Sequence, residues 1–141
     1  MRLSENFTLR ELTYSSTAEH YRIDNYPSPT EIVNLKTLCE KVLQPIRDSW
    51  GESIFINSGY RNPILNRKVK GVPTSAHITG CAADITTRDI KKNKKLFELI
   101  KFMHQEGDIE FDQLISENNC QWIHIGIKPI GEKMRNEILY L

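Results

Sequence analysis

The sequence predicts an α+β fold, a small mostly antiparallel sheet packed with helices. Three observations carry this reading. Apolar side chains recur at helical spacing over residues 28–50, the spacing changes after Gly51, and four short strand-like runs follow with turn residues between them. A length of 141 residues suits one domain spanning 1–141, long enough to bury a substantial core.

Each element has a local cause. Thr8-Leu-Arg-Glu11 has capping-box form, so a short helix is expected to open there. Ser28-Pro-Thr-Glu31 repeats that form and adds Pro29 at the first helical position. Behind it Ile32, Leu35, Leu38, Cys39, Val42, Leu43 and Ile46 share one face, predicting a helix of about five turns that ends near Trp50-Gly51. Ser53–Ser58 reads as a strand running into the turn Ser58-Gly-Tyr-Arg-Asn-Pro63. A loop is expected from there to Gly80, then a short strand over Ala82–Thr87. Asp89 is placed to cap a helix over 90–105, with Lys91, Lys92, Lys94 and Lys95 in solvent and Leu96, Leu99, Ile100 and Met103 inward. Phe111–Glu117 and Gln121–Ile127 read as strands joined by an Asn118-Asn119 turn, and a short terminal element is expected after Gly131.

Composition excludes several classes. With 26% charged residues, 39% hydrophobic residues and a formal net charge of +1, the chain has no electrostatic footprint for nucleic acid or a membrane surface. No apolar run approaches the roughly 20 residues that span a bilayer, so no transmembrane segment is expected. The opening MRLSENFTLREL lacks the apolar stretch of a signal peptide, and cytoplasmic synthesis is expected. Cys39, Cys81 and Cys120 are odd in number and lack metal-knuckle spacing, which suits reduced, mostly buried thiols. A monomer is expected.

Two of the four histidines stand in unusual company. His77 lies in Ser75-Ala-His77-Ile-Thr-Gly80-Cys-Ala82-Ala-Asp84, and His124 in Trp122-Ile-His124-Ile. A catalytic zinc takes three N or O ligands and keeps one open position, and two imidazoles with one carboxylate meet that need. Gly80 and the two alanines leave the backbone uncrowded, so both side chains of the first segment can converge. A lone strand histidine is more often a satisfied core residue. The length of the pattern argues against that reading, as does a second specific segment upstream, Ser58-Gly-Tyr-Arg-Asn-Pro-Ile-Leu-Asn66.

Together, Ser-Gly-Tyr-Arg, Ser-x-His-x-x-Gly-x-Ala-x-Asp and Trp-Ile-His-Ile resemble the zinc D-Ala-D-Ala carboxypeptidase family. These are cell-wall peptidases of bacteria and phages that share their fold with the hedgehog signalling domain. The resemblance covers about residues 6–128, including Phe7-Thr-Leu-x-Glu-Leu12 and Val42-Leu-Gln-Pro-Ile46. It implies a hedgehog/DD-peptidase-like fold, a Zn2+ cofactor held by His77, Asp84 and His124, and a peptidoglycan stem-peptide substrate. Arg61 matches the family's arginine, which implies a grip on the scissile carbonyl oxygen or on a substrate carboxylate; the alternative is a brace for its own turn. Ser75 matches a motif serine that touches substrate or caps its loop. Many relatives carry Glu three residues before the last histidine, but here that position is Gln121, which cannot accept a proton. Glu117 is therefore the favoured general base, and Asp112 the alternative. Tyr60 and Trp122 flank these groups as substrate-facing walls or as core. His20 and His104 carry no motif and are expected at the surface.

The resemblance implies zinc-dependent hydrolysis by a D-Ala-D-Ala carboxypeptidase or a related cell-wall endopeptidase. The competing expectation is a zinc-stabilised binding module without turnover, which Gln121 favours. Without a leader of its own, the expected route to the wall is phage-type release by a partner pore-former.

Overall fold

The computed structural model describes residues 1–141, and their local chemistry explains most elements. A two-strand pairing of β1 (Arg2–Ser4) and β2 (Phe7–Thr8) leads into α1 (Leu9–Thr13). The Thr8 hydroxyl accepts from the Glu11 N–H at 3.2 Å, and the Glu11 carboxylate accepts from the Thr8 N–H at 3.1 Å. α2 (Ser16–Tyr21) follows under a Ser15 cap.

α3 (Pro29–Leu38) starts where expected, with the Glu31 carboxylate accepting from the Ser28 N–H at 3.2 Å. It passes through a π-helical stretch, Cys39–Leu43, into α4 (Gln44–Trp50), which ends at Gly51 with φ 80°. Pro45 gives a physical reason for the widened turn. It has no N–H for the preceding turn, and the Gln44 N–H reaches back to the Cys39 carbonyl instead. The helical path stays continuous, and Leu35, Leu38, Cys39, Val42, Leu43 and Ile46 are all buried.

β3 (Phe55–Ser58), α5 (Pro63–Lys68), β4 (Ala82–Thr86), α6 (Ile90–Gln105), β5 (Gln113–Glu117), β6 (Trp122–Gly126) and β7 (Glu137–Tyr140) complete the chain. Five strands form one sheet in the order β3-β4-β6-β5-β7. Its pairings are antiparallel except the last, where β7 runs parallel to β5. α6 opens at Asp89, whose carboxylate accepts from the N–H groups of Lys91 and Lys92. It buries Leu96, Phe97, Ile100 and Met103 and leaves Lys91, Lys92, Lys94 and Lys95 exposed. The core of 26 buried residues joins α3, α4 and α6 to the sheet.

The expected loop up to Gly80 is instead partly helical. Asn62 caps α5 by accepting from the Leu65 N–H at 2.7 Å, and Ala76–Thr79 form a 3₁₀ turn. The three cysteines are free and buried, and burial, with Glu11 and Glu40 nearby, pushes the Cys39 thiol up to about 12. No helix is long and apolar enough to cross a membrane.

Candidate metal centre and cleft

The sheet register brings Asp84 of β4 opposite His124 of β6, and His124 opposite Ile115 of β5. Side chains two residues apart share a face, so Trp122, His124, Gly126, Gln113, Ile115 and Glu117 stand on the side where Asp84 stands. That face floors a cleft of about 900 Å³, within the size range of small-molecule sites.

His77 enters from the 3₁₀ turn. Ser75 caps that turn by accepting from the His77 N–H at 3.2 Å, and Gly80 ends it with φ 76°. A Cβ on Gly80 would stand 2.7 Å from the Glu31 carbonyl oxygen, so the position has neither space nor backbone conformation for another residue. The His77 ring is 2% exposed, and its Nδ1 lies 2.7 Å from the Gly59 carbonyl oxygen. A carbonyl only accepts, so Nδ1 carries a proton and Nε2 is the nitrogen left for a ligand role in the cleft.

Asp84 Oδ1 lies 3.4 Å from His77 Nε2 and 3.0 Å from His124 Nδ1. Burial alone would raise the Asp84 pKa, but the hydrogen bonds and charge of the two histidines together hold its carboxyl well below the usual carboxylate range. The three side chains can offer ligand atoms within 4.8 Å of one another. Two imidazole nitrogens and a carboxylate, with the tautomer of one ring fixed from behind, could hold a metal ion and fit the donor set of a catalytic zinc.

The carbonyl that orients His77 depends on a close approach. A Cβ on Gly59 would lie 2.3 Å from the Leu12 carbonyl oxygen, which accepts from the Tyr60 N–H at 2.7 Å. Gly59→Ala must push the turn away and with it the support of His77. The expected result is a loss of roughly 1–3 kcal/mol of stability and about 10–100-fold in metal affinity. Thermal melts and a competitive chelator titration read the two effects, and unchanged metal affinity would detach the carbonyl from the site.

Arg61 follows in the same turn. Its N–H donates to the His77 carbonyl at 3.0 Å, while Asn25 braces the turn by donating to the Tyr60 carbonyl and accepting from the Asn62 N–H, both at 2.9 Å. The guanidinium lines the cleft, has no acid within 4.0 Å, and keeps its Nε buried without a partner. Burial lowers its pKa, which Asp84 partly offsets, and arginine remains a cation under these conditions. A local acid therefore does not brace it.

The remaining expectations separate. Ser75, Glu117 and the half-buried Trp122 line the cleft, and Glu117 faces Trp122 across the β5–β6 pair. Asp112 also lines it, but its Oδ1 accepts from the Arg135 backbone N–H at 2.9 Å and from Nε at 3.0 Å, and its Oδ2 accepts from an Arg135 terminal N–H at 2.7 Å. Those bonds hold its carboxyl below the usual range. Gln121 lies outside the cleft, exposed, with Oε1 accepting from Asn118 Nδ2 at 2.9 Å. Tyr60 is also outside it. The ring is buried on a separate groove, and burial with the Glu31 carboxylate nearby raises the pKa of its hydroxyl.

A family model described as peptidase M15 matches residues 5–126. The chain belongs to the peptidase M15 family. No curated protein matches it. The match to peptidase M15 spans all three converging side chains, Arg61 and Glu117, and stops at the end of β6. The sequence motifs did not reveal Asn25, the Gly59 carbonyl or the cleft residues after Gly126. Asn25 and Gly59 act through backbone contacts to distant turns, which leave no local pattern, and the C-terminal residues follow the last motif.

Proposed function

We propose that this M15 family member is a zinc-dependent peptidase that hydrolyses peptide bonds in peptidoglycan stem peptides, as a D-Ala-D-Ala carboxypeptidase or a related endopeptidase. One observation supports this most directly: the ligand atoms of His77, Asp84 and His124 gather within 4.8 Å in a cleft that Arg61 and Glu117 also line. Those three side chains would hold the ion. When bound, zinc supplies Lewis acidity and makes water a competent nucleophile near neutral pH.

The other steps fall to the chain's own groups. The Glu117 carboxylate takes the proton of the attacking water and returns it to the leaving amine. The Arg61 guanidinium, on the wall of the cleft, binds the carbonyl oxygen as negative charge develops. Asp112 is unsuited to the base role because both of its oxygens are committed to Arg135. Trp122 and Ser75 border the bound peptide.

The test is release of D-alanine or cleaved stem peptide from purified peptidoglycan by zinc-loaded protein, followed by mass spectrometry. Zinc-replete protein that leaves every bond intact would favour the binding module without turnover. Arg61→Lys is expected to be nearly as damaging as Arg61→Ala, each losing about 10²–10³-fold in turnover. Lysine keeps the charge but loses the planar fork. Zinc content should stay unchanged in both, and a Lys variant with most of the wild-type turnover would reduce Arg61 to a simple charge.

A further inference from the structure

Residues 127–141 lie beyond the family-matched region, yet they return to the cleft. β7 lies parallel to β5 at the sheet edge, and Leu141 closes the end by donating its N–H to the Ser116 carbonyl at 2.9 Å. Asp112 anchors the segment through its three hydrogen bonds from Arg135, and its carbonyl accepts from the Glu137 N–H at 2.9 Å. Lys128, Pro129, Glu132, Arg135 and Leu141 thereby become part of the wall of the cleft that holds the His77–Asp84–His124 cluster.

Lys128 is the distinctive residue of that wall. It stands two positions after Gly126, with its side chain 35% exposed. Its nearest carboxylate oxygen is Asp112 Oδ2, at 4.0 Å, where Arg135 already donates at 2.7 Å. Glu132 makes no ion pair with it, and no hydrogen bond from Nζ to the protein occurs. An ammonium on a cleft wall that makes no hydrogen bond to the protein is suited to an anionic ligand. We propose that residues 127–141 form the specificity wall of this site, in which Lys128 binds a carboxylate of the substrate peptide and Asp112–Arg135 is the positioning pair. The inference rests on the peptidase reading of the cleft. The carboxylate has two sources, the terminal one beyond the scissile bond or a free one within the peptide.

The experiment is calorimetric titration of zinc-loaded protein with a ketomethylene analogue of a D-Ala-D-Ala-ending peptide, which cannot be hydrolysed. Three forms are compared: both carboxylates free, the terminal one amidated, and the internal one amidated. Wild type should bind the free acid about tenfold more tightly than one of the amides, as expected for a charge-assisted hydrogen bond. The amide that weakens binding identifies the source. In Lys128→Gln the acid-to-amide ratio should collapse to about one, Lys128→Arg should restore it, and Arg135→Ala should lower it by letting the wall move. Thermal melts check that each variant is folded. A ratio that persists in Lys128→Gln, a wild type indifferent to both amidations, or a wild type that binds none of the three forms overturns the proposal. The peptidase reading fails separately, through absence of cleavage when wild type meets the hydrolysable peptide. In a cleaving enzyme, Lys128→Gln should raise KM for the acid substrate and leave kcat nearly unchanged, a split that loss of structure would not produce.

Discussion

His77→Ala is expected to empty the metal site and to destabilise the fold, where His124→Ala empties the site at a smaller structural cost. Purified wild type should carry about one zinc per chain, as a three-ligand site with one open position requires. With the proposed ligand set, either alanine variant would leave two protein ligands and should lose most of that zinc on dialysis. The variants then diverge because their surroundings differ. His77 is buried, so truncation leaves a cavity and strands the Gly59 carbonyl that accepted from Nδ1 at 2.7 Å. A cavity with an unsatisfied buried acceptor costs on the order of 3 kcal/mol. The His124 side chain on β6 keeps 14% of its surface exposed against 2% for His77, and its Nδ1 meets Asp84 and not a backbone carbonyl. Both variants also forfeit the stability that a bound ion adds, about 4 kcal/mol when free zinc stands a thousandfold above its Kd. Chelator treatment separates the contributions: it should lower the wild-type melting temperature sharply and leave both variants almost unmoved. Stoichiometric zinc retained in both variants would sink the ligand assignment.

Three helix starts were legible because each is a local hydrogen-bonding problem. Thr8 and Ser28 announce themselves by the Glu three positions after them and Asp89 by the helical pattern it precedes, and α1, α3 and α6 begin there. The convergence of His77 with Asp84 was legible for a related reason: Gly80 and the small residues after it permit only a tight return into β4. α5 was less so. Asn62-Pro63 repeats the cap-then-proline form of Ser28-Pro29, but the six-residue helix buries only Leu65 and Asn66, too few for an apolar period to register. The π-helical stretch leaves no periodic signal because Leu35, Leu38, Cys39, Val42, Leu43 and Ile46 keep ordinary helical spacing through it. β7 is the least legible element. Glu137–Tyr140 carries little burial of its own, and its place depends on Asp112 and Arg135, 23 positions apart in the chain. The same non-local pair settles which carboxylates remain free in the cleft. No pattern within either strand could have told Glu117 from Asp112.

That distinction makes Glu117→Gln the sharpest test of mechanism. The substitution keeps side-chain shape and hydrogen bonding but removes the proton acceptor, and general-base catalysis is typically worth about 10²–10⁴-fold in turnover. Register supports the placement: Ile115 pairs with His124 and Glu117 with Trp122, so Glu117 and His124 are diagonal neighbours on one face of the sheet. Such neighbours stand about 7–8 Å apart, which leaves room for a water between carboxylate and imidazole. Zinc content should be unchanged, because Glu117 is outside the three-residue ligand cluster. Gln121→Glu, which restores the carboxylate at the position many relatives use, should not rescue the loss. Gln121 sits in the turn before β6, exposed and bonded to Asn118, and alternation along the strand turns it from the face of His124. Peptidoglycan cleavage by wild type, Glu117→Gln and the Glu117→Gln/Gln121→Glu pair decides the matter. Rescue in the double variant would mean that the β5–β6 turn rearranges on substrate binding to bring residue 121 over the cleft. Undiminished turnover in Glu117→Gln would remove Glu117 from the mechanism. With Asp84 in the ligand cluster and Asp112 bound on both oxygens by Arg135, the proton would then have to pass to Glu132, the remaining carboxylate on the wall.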